Sequence, residues 1–173
     1  MDLGAIHQTA DRVGMIFREF APDDRSAIDE MLRACGVFTD EEIRVALEIV
    51  DAWSPFEQDE DYAIFVLEGD GRVQGYVCFS KTPLTTSTWH LYWICVHPEY
   101  QGTGAGRALM HQVEAVIRSR GGERLALETS GQPRFDRTRR FYRSAGFREV
   151  GRIKDFYKTG DDCLTFCKEL DER

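Results

Sequence analysis

The period of the apolar positions changes repeatedly along the chain, and each change marks an element. Met15 to Phe20 alternates and predicts a short first strand. Pro22 and Asp23-Asp24 then open a helix in which Ile28, Met31, Leu32 and Cys35 recur at helical spacing until Gly36. Thr39-Asp40-Glu41-Glu42 is a capping box that starts a second helix, with Ile43, Ala46, Leu47 and Val50 on one face. The acidic, proline-containing stretch from Ser54 to Asp61 reads as a loop. Alternation returns in Tyr62 to Glu68 and Arg72 to Lys81, which are joined by Asp70-Gly71. That pair suits the positive φ angles of a tight hairpin turn. A polar loop from Pro83 to Ser87 leads to a fourth strand, Trp89 to Val96.

After Val96 the chain enters a glycine-rich turn and then a helix reaching Arg120, with Leu109, Val113, Val116 and Ile117 on its apolar face. Gly121-Gly122 stops it. Leu125 to Thr129 is a fifth strand, and a helix through Arg139-Arg140-Phe141-Tyr142 ends at Ala145-Gly146. Phe147 to Lys154 and Cys163 to Glu169 complete the strands, with Gly160-Asp161-Asp162 turning the chain between them. In the last strand Cys163, Thr165 and Cys167 face opposite to Leu164 and Phe166. This order predicts an α/β (α+β) fold: one mixed, mostly antiparallel sheet flanked by helices on both faces. Residues 15–173 are expected to form a single domain, with residues 1–14 as an N-terminal tail.

Composition narrows the class. The 173 residues are 42% apolar, as in ordinary globular proteins, and no apolar run reaches the length that spans a bilayer. Residues 1–14 lack the basic and apolar regions of a signal peptide. Five cysteines show no CxxC pair and no zinc spacing, so no metal is expected. Reduced core thiols in a cytoplasmic protein are the natural reading. The net charge of −8 argues against nucleic acid as a partner. It is unevenly spread: Glu19 to Asp61 holds 14 acidic and 3 basic residues, and Gln101 to Gly160 holds 13 basic and 6 acidic ones. Either run can be a solvated face. The basic half would equally suit a polyanionic cofactor, and the acidic half a cationic co-substrate.

The glycine turn focuses the question. A strand emptying into glycines at a helix N-terminus leaves backbone N–H groups facing outward, where the helix dipole favours an anion. Gly102, Gly104 and Gly106 have neither the G-x-G-x-x-G spacing of a dinucleotide fold nor the Gly-Lys-Ser/Thr ending of a P-loop. The full run Val96-His97-Pro98 followed by Gln101-Gly-Thr-Gly-Ala-Gly106 resembles a motif of the GNAT family of N-acetyltransferases. Its Q/R-x-x-G-x-G/A pattern is met at Gln101, Gly104 and Gly106. A second segment, Arg139 to Phe147, is similar to the family's F-Y-x-x-x-G-F motif, and the element order follows the family from about Met15 to the C-terminus.

The resemblance implies acetyl-CoA as co-substrate. Gln101, Gly102, Thr103, Gly104, Ala105, Gly106 and Arg107 would hold its pyrophosphate, largely through backbone amides. Ile94, Cys95 and Val96 would pair with the pantetheine arm. A bulge in this strand would splay it from the fifth, leaving a V-shaped opening between the fourth and fifth strands. Tyr142 aligns with the tyrosine that protonates the departing thiolate; the alternative is a core aromatic beside Phe141. Where the family often has a cofactor-contacting Asn, this chain has Phe135, which would supply apolar packing instead.

A general base is wanted because an aliphatic amine is mostly protonated near neutrality. His90 falls where several family members place a Glu or His, and Glu128 on the neighbouring strand is the other candidate. A surface or packing histidine is the alternative for His90, and deprotonation through a water chain the alternative for both. The implied activity is transfer of an acetyl group to a primary amine of a small, cationic molecule by direct attack. A protein or peptide N-terminus or lysine is a second acceptor class, and a non-catalytic acyl-CoA-binding module a third reading. Dimers are common in the family, so a homodimer is compatible with the resemblance, while the sequence itself is silent on assembly.

Overall fold

Pro22–Asp24 form a single 3-10 turn, and α1 (Arg25–Cys35) follows directly. Its Ile28, Met31 and Leu32 are wholly buried, each stabilising by about 1.5–3 kcal/mol relative to exposure. Gly36 ends it in the left-handed region, where its φ of 66° would strain a residue with a Cβ. The capping box at the start of α2 (Asp40–Ala52) forms as expected. Glu42 N donates to Thr39 Oγ1 at 3.2 Å, and Thr39 N donates to the Glu42 carboxylate at 2.6 Å. The computed structural model describes residues 9–10, 14–53 and 62–170. The expected loop from Ser54 to Asp61 lies outside them, as does most of the expected tail.

The strands are β1 (Thr9–Ala10), β2 (Ile16–Glu19), β3 (Ala63–Gly69), β4 (Arg72–Lys81), β5 (Thr88–Val96), β6 (Arg124–Ser130), β7 (Arg148–Lys158) and β8 (Asp161–Glu169). The remaining helices are α3 (Ala105–Ser119) and α4 (Asp136–Ser144). Among the described residues the strands form one sheet in the order β1-β2-β3-β4-β5-β6-β8-β7. β5 and β6 run parallel, whereas β1–β2, β2–β3, β6–β8 and β7–β8 are antiparallel. Asp70 and Gly71 both have positive φ, 51° and 70°, as the hairpin reading of that pair requires. β7 continues four residues past its expected end at Lys154. The cause is Asp155, whose φ of 54° makes a bulge before pairing resumes at Lys158 with Asp161.

The contacts group the chain into two units. The first runs up to Cys78 and includes Trp93–Gln112; the second comprises Phe79–Tyr92 and the residues from Val113 onward. In the first, α1 and α2 pack on a sheet face bearing Ile64, Val66, Tyr76, Cys78 and Cys95. α3 covers the opposite face, since a Cβ added to Gly75 would meet Leu109 Cδ2 at 3.3 Å and Val96 Cγ2 at 3.4 Å. The start of α1 is fastened to the sheet by Arg18, which donates to Asp24 and Glu68. Burial alone would raise the Asp24 carboxyl, but the Arg18 guanidinium and the Ala21 amide more than offset this and lower it.

In the second unit a buried polar cluster joins three elements. Lys168 on β8 donates to Glu114 on α3 at 2.6 Å and to the Ala145 carbonyl at the end of α4 at 2.8 Å. Glu114 is only 6% exposed and also accepts from Arg118. Arg139 secures the start of α4 by donating to the carbonyls of Ser130 and Gln132 and pairing with Asp136. Nothing in the local sequence pattern announces that Lys168 meets Glu114, which lies 54 positions away.

Candidate active site

β5 leads into the glycine turn. At its start Trp89 points to the α3 side, because a Cβ on Gly122 would collide with both Ile117 and Trp89. Farther along, Val96 faces Leu109 of α3, while Cys95 lies in the cluster under α1 and α2. The ladder of β5 with β6 runs from Thr88↔Arg124 to Leu91↔Leu127, although both strands continue.

From Val96 the chain turns tightly. Tyr100 N donates to the His97 carbonyl at 2.9 Å, and the Thr103 hydroxyl donates to the Tyr100 carbonyl at 2.6 Å. The Gln101 side chain reaches back to donate to the Val96 carbonyl at 2.9 Å, fastening the turn to the strand it leaves. Gly102 and Gly104 have φ of 84° and 100°, a region that residues with a Cβ rarely adopt. An added Cβ at either would meet nothing within 4 Å, so backbone angle and open space, rather than crowding inside the protein, explain the glycines. The first helical bond runs from Ala108 N to the Gly104 carbonyl, which leaves the amides of Ala105, Gly106 and Arg107 without intrahelical acceptors. Gly102, Thr103, Gly104 and Arg107 are exposed, Gly106 is half-buried and Ala105 is buried. Backbone amides left open in this way suit an anion, and the residues fit a diphosphate.

The three residues singled out for acid–base chemistry lie in the second unit. His90 on β5 registers with Ala126 on β6, and Glu128 stands two residues farther along the same face. Burial lowers the His90 pKa, and the Glu128 charge opposes that shift. The Tyr92 ring lies 4.7 Å from His90, and its hydroxyl accepts from Ser80 at 3.4 Å. Glu128 pairs with Thr165 on β8, so Phe166 points to the opposite face. Tyr142 belongs to that opposite face. It is 7% exposed, with ring centroids 5.9 Å from Phe147 and 6.1 Å from Phe166. The structure therefore brings His90 and Glu128 together on one face and sets Tyr142 on the other. Phe135, at the end of a 3-10 turn, is buried, and the Arg134 guanidinium stands 5.0 Å over its ring.

One contact to the end of β5 was not legible in the sequence. The Cys35 thiol, at the end of α1, donates to the Val96 carbonyl at 3.4 Å and lies 2.9 Å from the Cys95 sulfur. The two cysteines are 60 positions apart, and no local pattern links them.

The model of the acetyltransferase (GNAT) family matches residues 25–147, which span α1, the glycine turn and α4. The chain belongs to this family. A GNAT-family structure from Desulfovibrio desulfuricans is 37% identical, with a TM-score of 0.84 over 91% of this chain and 99% of that one. An N-alpha-acetyltransferase of Sulfurisphaera tokodaii is 27% identical over 65% of this chain and 72% of its own length. At the level of fold, an aminoglycoside 6'-N-acetyltransferase complexed with coenzyme A aligns with a TM-score of 0.70 at 16% identity, covering 91% of this chain and 98% of that one. This GNAT protein is thus an N-acetyltransferase. Its sheet is mostly antiparallel, with β5 and β6 running parallel. Among the described residues no helix is long and apolar enough to cross a membrane.

Proposed function

We propose that the protein acetylates the primary amine of a small cationic molecule. The observation that carries this reading is the face shared by Glu128 and His90, whose pKa burial lowers. A carboxylate attracts an ammonium group, and a neutral imidazole can take the proton that the amine must lose before it attacks. Tyr92 and His90 add aromatic surface that favours a cation.

In this reading the backbone amides of Gly102 to Arg107 hold the pyrophosphate, and Ile94, Cys95 and Val96 offer backbone groups to the pantetheine arm. Bound acetyl-CoA supplies the activated acetyl group. Phe135 lends apolar packing to the loop before α4. His90, with Glu128 beside it, receives the proton from the amine, and Tyr142 returns a proton to the departing sulfur. Acid and base stand on opposite faces of β6. Because the β5–β6 ladder stops at Leu91 and Leu127, a group lying at its end would be reached from both sides. The five thiols fit a reducing, cytoplasmic setting. The likeness to the Sulfurisphaera tokodaii enzyme favours a second reading, in which the acceptor is a protein N-terminus.

A thiol-release assay with acetyl-CoA against polyamines, aminoglycosides, amino acids and N-terminal peptides tests this. Turnover with cationic small amines, with a raised KM for them in Glu128→Gln, is the expected result. Turnover confined to peptides would replace the first reading by the second.

A further inference from the structure

We infer that Cys35 and Cys95 are a paired oxidation site that closes to an intramolecular disulfide when the protein meets a small-molecule disulfide, and that closure weakens acetyl-CoA binding. The sulfurs stand 2.9 Å apart, so the bond needs about 1 Å of further approach to reach the roughly 2.05 Å of a disulfide. The two residues have the unequal exposure such a reaction uses. Cys35 is half-buried at the end of α1, just before the Gly36 turn, and Cys95 is 5% exposed on β5.

Cys35 is the sulfur a reagent can reach. The hydrogen bond with Cys35 and burial push the Cys95 thiol well above the ordinary thiol range, so Cys95 does not attack first. Cys35 gives up its proton and displaces one thiolate from the reagent, forming a mixed disulfide. The Cys95 sulfur, already in contact, then attacks the Cys35 sulfur and displaces the second thiolate. The two protons end on the two thiols released. Two electrons pass from the cysteine sulfurs to the reagent. The Tyr76 hydroxyl is wholly buried in the same cluster as Cys95 and has no hydrogen-bond partner.

The bond would act on the cofactor strand through residues already in place. Cys35 and Gln101 both donate to the Val96 carbonyl, and Gln101 Nε2 lies 3.8 Å from the Cys35 sulfur. Oxidation removes the thiol donor and draws β5 toward α1 next to the first residue of the glycine turn. Misplacement on this scale can cost much binding and rate. This consequence rests on the cofactor reading above, whereas the cross-link does not.

The test treats the full chain with oxidised glutathione and maps the peptides without reduction. A mass lower by two hydrogens, a Cys35–Cys95 cross-linked peptide, and acetyl-CoA affinity about tenfold weaker until dithiothreitol restores it are expected. Cys35→Ala should neither cross-link nor lose affinity on oxidation; the map of the unsubstituted chain decides the cross-link even if that variant fails to fold. A persistent glutathione adduct on Cys35, or a cross-link between other cysteines, overturns the site. A Cys35–Cys95 bond with unchanged affinity overturns the effect on binding alone, and leaves the cofactor assignment to the Gly104 variant below.

Discussion

The glycine turn and the face that carries His90 and Glu128 are built in opposite ways. The turn is one run of consecutive residues whose chemistry resides in the backbone: two glycines at positive φ, a glutamine tied to Val96, and first-turn amides left without acceptors. The face is assembled from side chains on separate strands, and its members acquire their properties from register and burial. A backbone site tolerates changes of side chain but not of conformation. A side-chain site has the opposite sensitivity.

Four substitutions test that contrast, in order of expected effect. Tyr142→Phe keeps the aromatic packing and removes only the proton donor. It should lower kcat by roughly 10²–10⁴ with acetyl-CoA affinity nearly unchanged, as steady-state kinetics and calorimetry would show. Full activity would leave Tyr142 a core aromatic packed with Phe147 and Phe166.

Gly104→Val forces a branched residue to adopt a φ of 100°, a strain of about 1–3 kcal/mol. Acetyl-CoA should bind roughly 10- to 100-fold more weakly by titration calorimetry. The fold should survive, since the new Cβ meets nothing within 4 Å. Unchanged affinity would remove the diphosphate from the turn.

Lys168→Met takes one partner from buried Glu114 and the donor from the Ala145 carbonyl. The second unit should lose about 2–3 kcal/mol in urea titration, because a mostly buried carboxylate keeps only Arg118. A loss in kcat larger than the loss in acetyl-CoA affinity would mean that the clamp also positions α4 and Tyr142.

The smallest effect is a shift of a pH profile. Burial lowers the His90 pKa and Glu128 partly opposes this, so Glu128→Gln should lower it further. A general base works deprotonated, so the acidic limb of kcat/KM should move to lower pH. Disappearance of the limb, with the rate falling at every pH, would make Glu128 the base instead.

Legibility followed the same division. The capping box at Thr39, the Asp70-Gly71 hairpin and the glycine turn were readable because each is a conformational demand met by neighbours in sequence. The extent of β7 was not, since Asp155 adopts positive φ through contacts made by the fold: its amide donates to Asp162 and its carboxylate accepts from Gly160. His90, Glu128 and Tyr142 could be named from the resemblance, but not that the first two share a face while the third lies on the other. That follows from the register of β5, β6 and β8.

By itself the sequence determined the elements, their order, the family and the glycine turn, because helix caps, turns and glycine conformations are short-range physics. Tertiary structure alone decided that Cys35 meets Cys95, that Lys168 meets Glu114 and that His90 shares a face with Glu128. Such pairs depend on strand register and helix packing, to which every residue contributes a little and no local pattern contributes enough.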